Sequence, residues 1–187
     1  MNQDFNVILS KYSLRPKNTS WSQGLLSLLN DVSLDDIKMI EIGSYMGEST
    51  VIFASSPKVS KIYAVDPWLN GYDDKDIVSY QEPMESIEWV FDNITKGIDK
   101  IHKIKDTSES AIKYFSTLQD KINLIYIDGS HTYEGVKSDL INYCNFLKND
   151  FYLCGHDISC PEVRKAVVEV VGNPHKTYED DSWMIKL

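Results

Sequence analysis

The chain has 187 residues, 42% of them apolar and 25% charged, with a formal net charge of −9. That length fits one domain with a sizeable core. The acidic balance repels phosphate backbones and argues against a nucleic-acid partner, and no run of 18 apolar residues offers a membrane span. Cys144, Cys154 and Cys160 are odd in number, and their spacing matches neither a disulfide framework nor a zinc site. Reduced thiols are expected. The N-terminal stretch has no charged start, long apolar run or small-residue cleavage site, so a cytoplasmic location is expected too.

In chain order, Arg15 and Lys17 flank Pro16 and read as a solvated turn. A helix is predicted from Trp21 to Leu29, within an N-terminal helical segment spanning 1–36. Strands and helices then alternate. The strand candidates are IKMIEI (37–42), KIYAVD (61–66), IHKIKD (101–106), INLIYID (122–128) and FYLCGHD (151–157). Near-continuous apolar runs such as INLIYI suit strands covered on both faces. After His131, Tyr133, Val136, Leu140, Tyr143, Cys144 and Leu147 form one helical stripe. Ser159 and Glu162 have capping-box spacing at the start of a helix predicted to end at Gly172. The tail HKTYEDDSWMIKL reads as two strands around an acidic turn, an antiparallel pair at the end of a parallel sheet. The fold class expected is α/β: a Rossmann-like doubly wound, mostly parallel sheet with an antiparallel C-terminal strand in three α/β/α layers, as one domain over 1–187.

In such sheets ligands bind beyond the carboxyl ends of the strands. Here Glu41 lies one residue from the end of the first strand, and Asp66, Asp106, Asp128 and Asp157 close the next four. Acids are disfavoured inside strands, so five in five suggest one electronegative rim. It suits a cation, ribose hydroxyls or a metal, and repels phosphates.

After the first strand comes EIGSYMGEST, with Gly43 and Gly47. It lacks the third glycine of a dinucleotide fingerprint and the lysine of a P-loop. Gly43 permits a sharp turn and Gly47 a close backbone approach, and two glycines in a plain turn are the alternative. Asp66 follows Gly43 by 23 residues, near the offset at which an acid meets ribose hydroxyls; the alternative is an Asp-Pro turn. No G-x-S-x-G elbow is present, which disfavours a hydrolase.

The ordered set E-x-G-x-x-x-G, V-D-P-W, I-D-G-S-H-T-Y-E and G-H-D resembles class I S-adenosylmethionine-dependent methyltransferases. The branch it resembles includes the macrolide-sugar O-methyltransferases and cephalosporin-biosynthesis methyltransferase-like proteins, and the likeness covers roughly residues 37–187. The resemblance implies S-adenosylmethionine as cofactor. It puts Glu41, Gly43, Ser44 and Gly47 around the methionine part, Asp66 on the ribose, and Asp106, Thr107 and Ser108 near the adenine. The implied activity is methyl transfer to a hydroxyl of a small acceptor such as a sugar or secondary metabolite. Asp128 and His131 match an Asp-x-x-His that supplies a metal ligand and a base in those relatives, and Asp157 matches a second ligand for a divalent cation, Mg or Mn. His131 is otherwise a solvated or capping residue. His156 stands where those relatives carry an acid, which disfavours an all-oxygen magnesium site. It is either a ligand for a softer metal or a satisfied, partly buried histidine.

Residues 68–92 form an aromatic insertion. Trp68 to Tyr80 are expected as a lid over the rim, although Trp68 also suits a core anchor. Trp89 and Phe91 are expected to pack their helix on the sheet or a second subunit. A homodimer or higher homo-oligomer is left open. A non-catalytic S-adenosylmethionine-binding or scaffold protein of the same fold is the alternative function.

Overall fold

A computed structural model of the chain describes residues 19–72, 80, 83–146 and 151–187. The first helix, α1, runs Thr19–Asp31, longer at both ends than the apolar pattern predicts. It is followed by β1 (Ile37–Ile42), α2 (Glu48–Ser55), β2 (Val59–Asp66), α3 (Met84–Ile94), β3 (Ile101–Lys105), α4 (Ser108–Thr117) and β4 (Leu124–Ile127). The chain continues through α5 (Tyr133–Cys144), β5 (Tyr152–Gly155), α6 (Pro161–Val171), β6 (Lys176–Thr177) and β7 (Trp183–Lys186).

The sheet order is β3-β2-β1-β4-β5-β7-β6. The first five of these neighbours are parallel, and β7 is antiparallel to both β5 and β6. The C-terminal pair therefore folds as expected, with the last strand inserted between β5 and the edge. Strand order reverses at β1, which pairs β2 on one side and β4 on the other. A crevice opens where crossovers leave in opposite directions.

Alternating side chains divide the core. Met39, Ile62, Leu124 and Tyr126 face Leu25 and Leu28 of α1 and Val51 to Phe53 of α2. Ile40, Ile125 and Leu153 face Phe115 of α4, Leu140 and Tyr143 of α5, and Ala166 of α6. All four residues of β4 are buried, as its apolar run predicts for a strand covered on both faces. The three-layer Rossmann-like architecture follows.

Three local expectations need correction. The N-cap of α6 is Cys160 and no side chain caps it; Ser159 is instead held by Asp181, which accepts its N–H at 3.0 Å and its hydroxyl at 2.5 Å. Trp89 does not pack on the sheet: it is 67% exposed, whereas Met84, Ile87 and Phe91 are buried. Two residues from either Ile87 or Phe91 is about 200° around a helix, so Trp89 must point away from them. Trp68 is no lid but a core anchor, 3% exposed, with its ring 4.8 Å from that of Phe91. Residues 73–79 and 81–82 of the proposed lid lie outside the described residues, as do Leu147 and the Arg15–Lys17 turn. Among the described residues no helix is long and apolar enough to cross a membrane, and all three cysteines are free.

Candidate active site

Parallel pairing brings the carboxyl ends of β1 to β5 to one edge. Beyond β1 the chain turns at Gly43, whose φ of +85° lies in the left-handed region. Its N–H donates to the Val65 carbonyl at 2.9 Å, while Asp128 N–H donates to the Ile42 carbonyl at 2.8 Å. The first loop is thus fastened to β2 and to the turn after β4. Gly47, at φ +83°, immediately precedes α2, and a Cβ there would meet the Phe91 ring at 2.8 Å.

Glu41 points beneath this loop and is fully buried. Its carboxyl accepts from Ser44 Oγ at 3.1 Å, from Ser49 Oγ at 2.5 Å and from Thr50 Oγ1. The first turn of α2 supplies two of these hydroxyls, so the acid ties strand, loop and helix together. Burial outweighs the three hydrogen bonds and pushes the Glu41 carboxyl up to about 7. The folded state therefore keeps a proton that the unfolded chain releases above about pH 4.5. That stabilisation is complete below pH 4.5 and is lost as the pH climbs through 7. Glu41→Gln, which mimics the protonated acid, is expected to be more stable than the parent at pH 8 by on the order of 3 kcal/mol. The difference should vanish below the unfolded-state pKa. Urea unfolding of both proteins across pH 4–8 checks this; a gap that does not change with pH refutes it.

Asp66 ends β2 and is 8% exposed. It accepts from Tyr45 N–H at 2.9 Å through one oxygen and from Trp68 N–H at 2.8 Å through the other. The Trp68 indole returns a hydrogen bond to the Tyr45 carbonyl at 2.8 Å. Tyr45 and Trp68 both have positive φ, 44° and 42°, and this closed ring of contacts holds them there. Beyond β3, Asp106 is exposed and accepts from Thr107 N–H at 2.8 Å. Thr107 caps α4 through Ser110 N–H.

The turn after β4 carries Asp128, Ser130 and His131. Thr132 is the N-cap of α5, accepting from Gly135 N–H at 3.2 Å. The cap role is therefore filled, and His131 does not serve it. Its Nε2 lies 3.0 Å from Asp157 Oδ2. Asp157 has φ +57°, so the chain has already turned after β5. Adjacent His156 and Asp157 therefore meet, His156 Nδ1 lying 3.2 Å from Asp157 Oδ1 and 3.8 Å from Asp128 Oδ1.

The charges follow from the geometry. Burial, with Asp157 nearby, raises the Asp128 carboxyl above its ordinary range. Burial works against charge on His156, but the hydrogen bond to Asp157 and the Asp128 carboxylate raise its pKa. Burial also opposes ionisation of Asp157, yet the hydrogen bonds from His131 and His156 hold it well below the usual carboxylate range. His156 Nε2 is buried with no hydrogen-bond partner among the described residues. Asp128, His131 and Asp157 each offer one ligand atom, all within 4.8 Å of one another.

A family model described as a methyltransferase domain matches residues 40–158, a span that contains every one of these side chains. The chain belongs to this methyltransferase family. Solved structures similar to this methyltransferase domain include CalS11, a calicheamicin methyltransferase, with a TM-score of 0.60 and 16% identity over 97% of this chain and 90% of that one. An O-methyltransferase from Bacillus cereus in complex with SAH has a TM-score of 0.60 and 12% identity over 98% and 90%. Fibrillarin from Aeropyrum pernix, with natively bound S-adenosyl-L-methionine, has a TM-score of 0.57 and 12% identity over 83% and 68%. At such identities these likenesses concern the fold. Uncharacterized protein R132 of Acanthamoeba polyphaga mimivirus is 24% identical over 153 residues, 80% of this chain; the chain spans just under two-thirds, 66%, of that relative's length.

Two supports of the candidate site escape a reading by strand ends. Asp181 holds the turn after β5 from the C-terminal tail, 22 residues beyond Ser159. Asp139, on α5, is buried one turn before Tyr143, whose hydroxyl donates to the Ser108 carbonyl at 2.7 Å. The only trace of the first in the sequence is the acidic tail turn. An acid in an apolar helical stripe would have signalled the second.

Proposed function

We propose that this domain transfers a methyl group from S-adenosylmethionine to a hydroxyl of a small acceptor such as a sugar or secondary metabolite, with His131 as the base. The observation that carries the base is the His131 Nε2 to Asp157 Oδ2 contact of 3.0 Å, on the rim beside the Gly43 loop. A carboxylate on one imidazole nitrogen fixes the ring and its tautomer, leaving Nδ1 as the basic atom and stabilising the imidazolium that forms. Two neighbours strengthen the choice of acceptor and cofactor: CalS11 is described as a TDP-rhamnose 3'-O-methyltransferase, and the Bacillus cereus enzyme holds SAH.

The cofactor supplies an already activated methyl on a sulfonium. His131 would take the proton of the acceptor hydroxyl as its oxygen took the methyl and the sulfur left as a neutral thioether. Alignment then dominates the rate. The residues present fit the cofactor. The Asp66 oxygens each accept one backbone N–H, and a carboxylate has lone pairs left for ribose hydroxyls. Glu41, Gly43, Ser44 and Gly47 would frame the methionine part, with Asp106, Thr107 and Ser108 beside the adenine. The acidic rim favours a ligand bearing positive charge.

A second arrangement rests on the ligand atoms of Asp128, His131 and Asp157, which lie within 4.8 Å of one another. These three would hold a divalent cation, which would lower the pKa of the acceptor hydroxyl. A neutral imidazole has one basic lone pair, so ligand and base roles for His131 would exclude each other. A nitrogen among the donors favours manganese over magnesium.

Thermal unfolding with S-adenosylmethionine, alone and with magnesium or manganese, tests both. At a hundredfold excess over Kd the ligand stabilises the fold by about 2.7 kcal/mol, a rise of roughly 5–11 °C in Tm for a chain of this size. No shift at millimolar cofactor sinks the cofactor assignment. Methyl transfer abolished by a chelator and restored by manganese supports the metal arrangement. Cofactor binding without transfer to any acceptor indicates a binding or scaffold protein.

A further inference from the structure

The C-terminal tail closes over the strand end that carries Asp157. β7 runs antiparallel to β5 with Trp183 opposite Gly155, so the turn before β7 lies at the rim, beside the turn after β5. Asp181 stands in that tail turn. Its carboxylate accepts Ser159 N–H at 3.0 Å through Oδ1 and the Ser159 hydroxyl at 2.5 Å through Oδ2. Its carbonyl accepts Ile158 N–H at 3.2 Å. Two residues on, the Trp183 indole donates to the His156 carbonyl at 3.2 Å. The tail therefore holds the chain on both sides of Asp157, at His156 before it and at Ile158 and Ser159 after it. Cys160 N–H donates to the Asp157 carbonyl at 2.9 Å and closes the turn.

This hold acts on a backbone that would not keep its shape alone. Successive residues of an extended strand point to opposite faces. At φ +57° Asp157 instead meets His156 Nδ1 at 3.2 Å and His131 Nε2 at 3.0 Å. A residue with a Cβ is strained in that conformation and persists there only where its surroundings over-determine it. Here the tail does so. The tail turn is itself fixed: Asp181 N–H donates to the Tyr178 carbonyl at 3.1 Å, and Tyr178 N–H to the Ser182 carbonyl at 2.9 Å. Asp181 stands at φ +75°, where glycine would be at ease. Its carboxylate is what glycine could not supply, and hydrogen bonds to an ionised acceptor are the strong ones.

We propose that Asp181 is a positioning residue for the reaction: from the tail it fixes the turn after β5 and so sets where the Asp157 carboxylate stands against His131. This inference rests on the His131–Asp157 pair proposed above. It applies equally if Asp157 is a cation ligand, because either role needs that carboxylate in place. Asp181 touches no reacting atom. Its effect falls on the rate of transfer and spares cofactor affinity, since the proposed cofactor turns follow β1, β2 and β3.

The test uses Asp181→Gly, which suits φ +75° but removes the carboxylate, and Asp181→Asn, which keeps one acceptor oxygen. Asp157→Gly suits φ +57° and leaves no carboxylate to position. Circular dichroism checks folding, and calorimetry gives the S-adenosylmethionine Kd. The first readout is the histidine ring 15N spectrum at one fixed pH, with His131 assigned by its loss in His131→Ala. The second is single-turnover methyl transfer from S-adenosylmethionine to a panel of free and nucleotide-linked sugars. In Asp181→Gly the His131 ring signals are expected to move, while those of His102 and His175, on β3 and before β6, stay in place. Transfer should slow about thirtyfold, below the roughly hundredfold that a 1 Å misplacement can cost, with cofactor Kd within about twofold. Asp181→Asn should fall between this variant and the parent. Added to Asp157→Gly, Asp181→Gly should cost less than about threefold more, because the group it positions is gone. If Asp181→Gly does not fold, Asp181→Asn alone decides, and if no sugar on the panel is methylated, the ring spectra decide. Unmoved His131 signals, or transfer within twofold of the parent, in a folded variant overturn the inference. So does a rate loss that adds fully to that of Asp157→Gly, or one matched by an equal rise in cofactor Kd. Unchanged transfer in both His131→Ala and Asp157→Gly overturns the His131–Asp157 pair itself, so the two failures are distinguishable.

Discussion

His131→Ala is expected to lower methyl transfer to a hydroxyl acceptor by about 10²–10⁴-fold while S-adenosylmethionine binds within about twofold of the parent. The size is that of a positioned general base. The selectivity follows from place: His131 stands on the turn after β4, against Asp157, whereas the cofactor residues proposed here lie on the turns after β1, β2 and β3. Because Thr132 caps α5, the helix keeps its N-terminus in the variant, and the change should leave Tm within about 2 °C. Single-turnover measurements at saturating cofactor separate the chemical step from binding. Asp157→Asn should share much of the loss, since an amide orients His131 without stabilising its charge, and the two losses should not add. Transfer at an unchanged rate in His131→Ala excludes His131 as the base. Loss of cofactor binding in step with loss of rate places it in the cofactor site instead.

Gly43→Ala is expected to cost more stability than any other single methyl added to a described glycine on the rim. A Cβ there would lie 2.1 Å from the Asp128 carbonyl oxygen and 2.6 Å from Gly129 Cα, both backbone atoms. A flexible side chain can swing aside, but these atoms are fixed by the Asp128 N–H to Ile42 hydrogen bond and by the pairing of β1 with β4. The φ of +85° adds strain of roughly 1–2 kcal/mol for any residue with a Cβ. Relief would require the loop and the β4 turn to separate at the switch point. A loss of at least about 4 kcal/mol is expected, corresponding to a fall in Tm of roughly 8–16 °C, with cofactor binding lost as well. Gly97 is the control: its φ is +79°, but nothing among the described residues lies within 4 Å of the added Cβ. Gly97→Ala should therefore show the strain alone. Equal Tm for the two variants would mean that the crowding at Gly43 does not constrain the fold.

Much of the architecture was legible in the sequence because its signals are local. Ile37–Ile42 was read to the residue, and Leu124–Ile127 lies inside its predicted run, where all four positions are apolar as a strand buried on both faces requires. Gly172 ends α6 and Pro161 opens it, each for a backbone reason that acts within one turn. The rim of acids was legible for the same reason: parallel strands of similar length must end together, so the residue closing each strand shares an edge with the others. What failed was equally local in form but was decided at long range. The Ser159–Glu162 spacing suits a capping box, yet Asp181 reaches Ser159 from the tail and takes its hydroxyl. Trp68 suited a lid until Tyr45 and Phe91 closed around it.

The sequence by itself therefore determined the strand–helix alternation, the glycine turn and the acids that end the strands, because hydrophobic period and backbone conformation act over a few residues. Only the tertiary structure decided which acids are buried and what they hold. Glu41 lies under three hydroxyls, Asp66 is closed by two backbone N–H groups, and His156 and Asp157 turn toward one another after β5. Burial and hydrogen bonding set the charge of a carboxylate, and both depend on elements far away in the chain. That is why the burial of Asp139, an acid in an apolar helical stripe, shows only once α5 is packed in place.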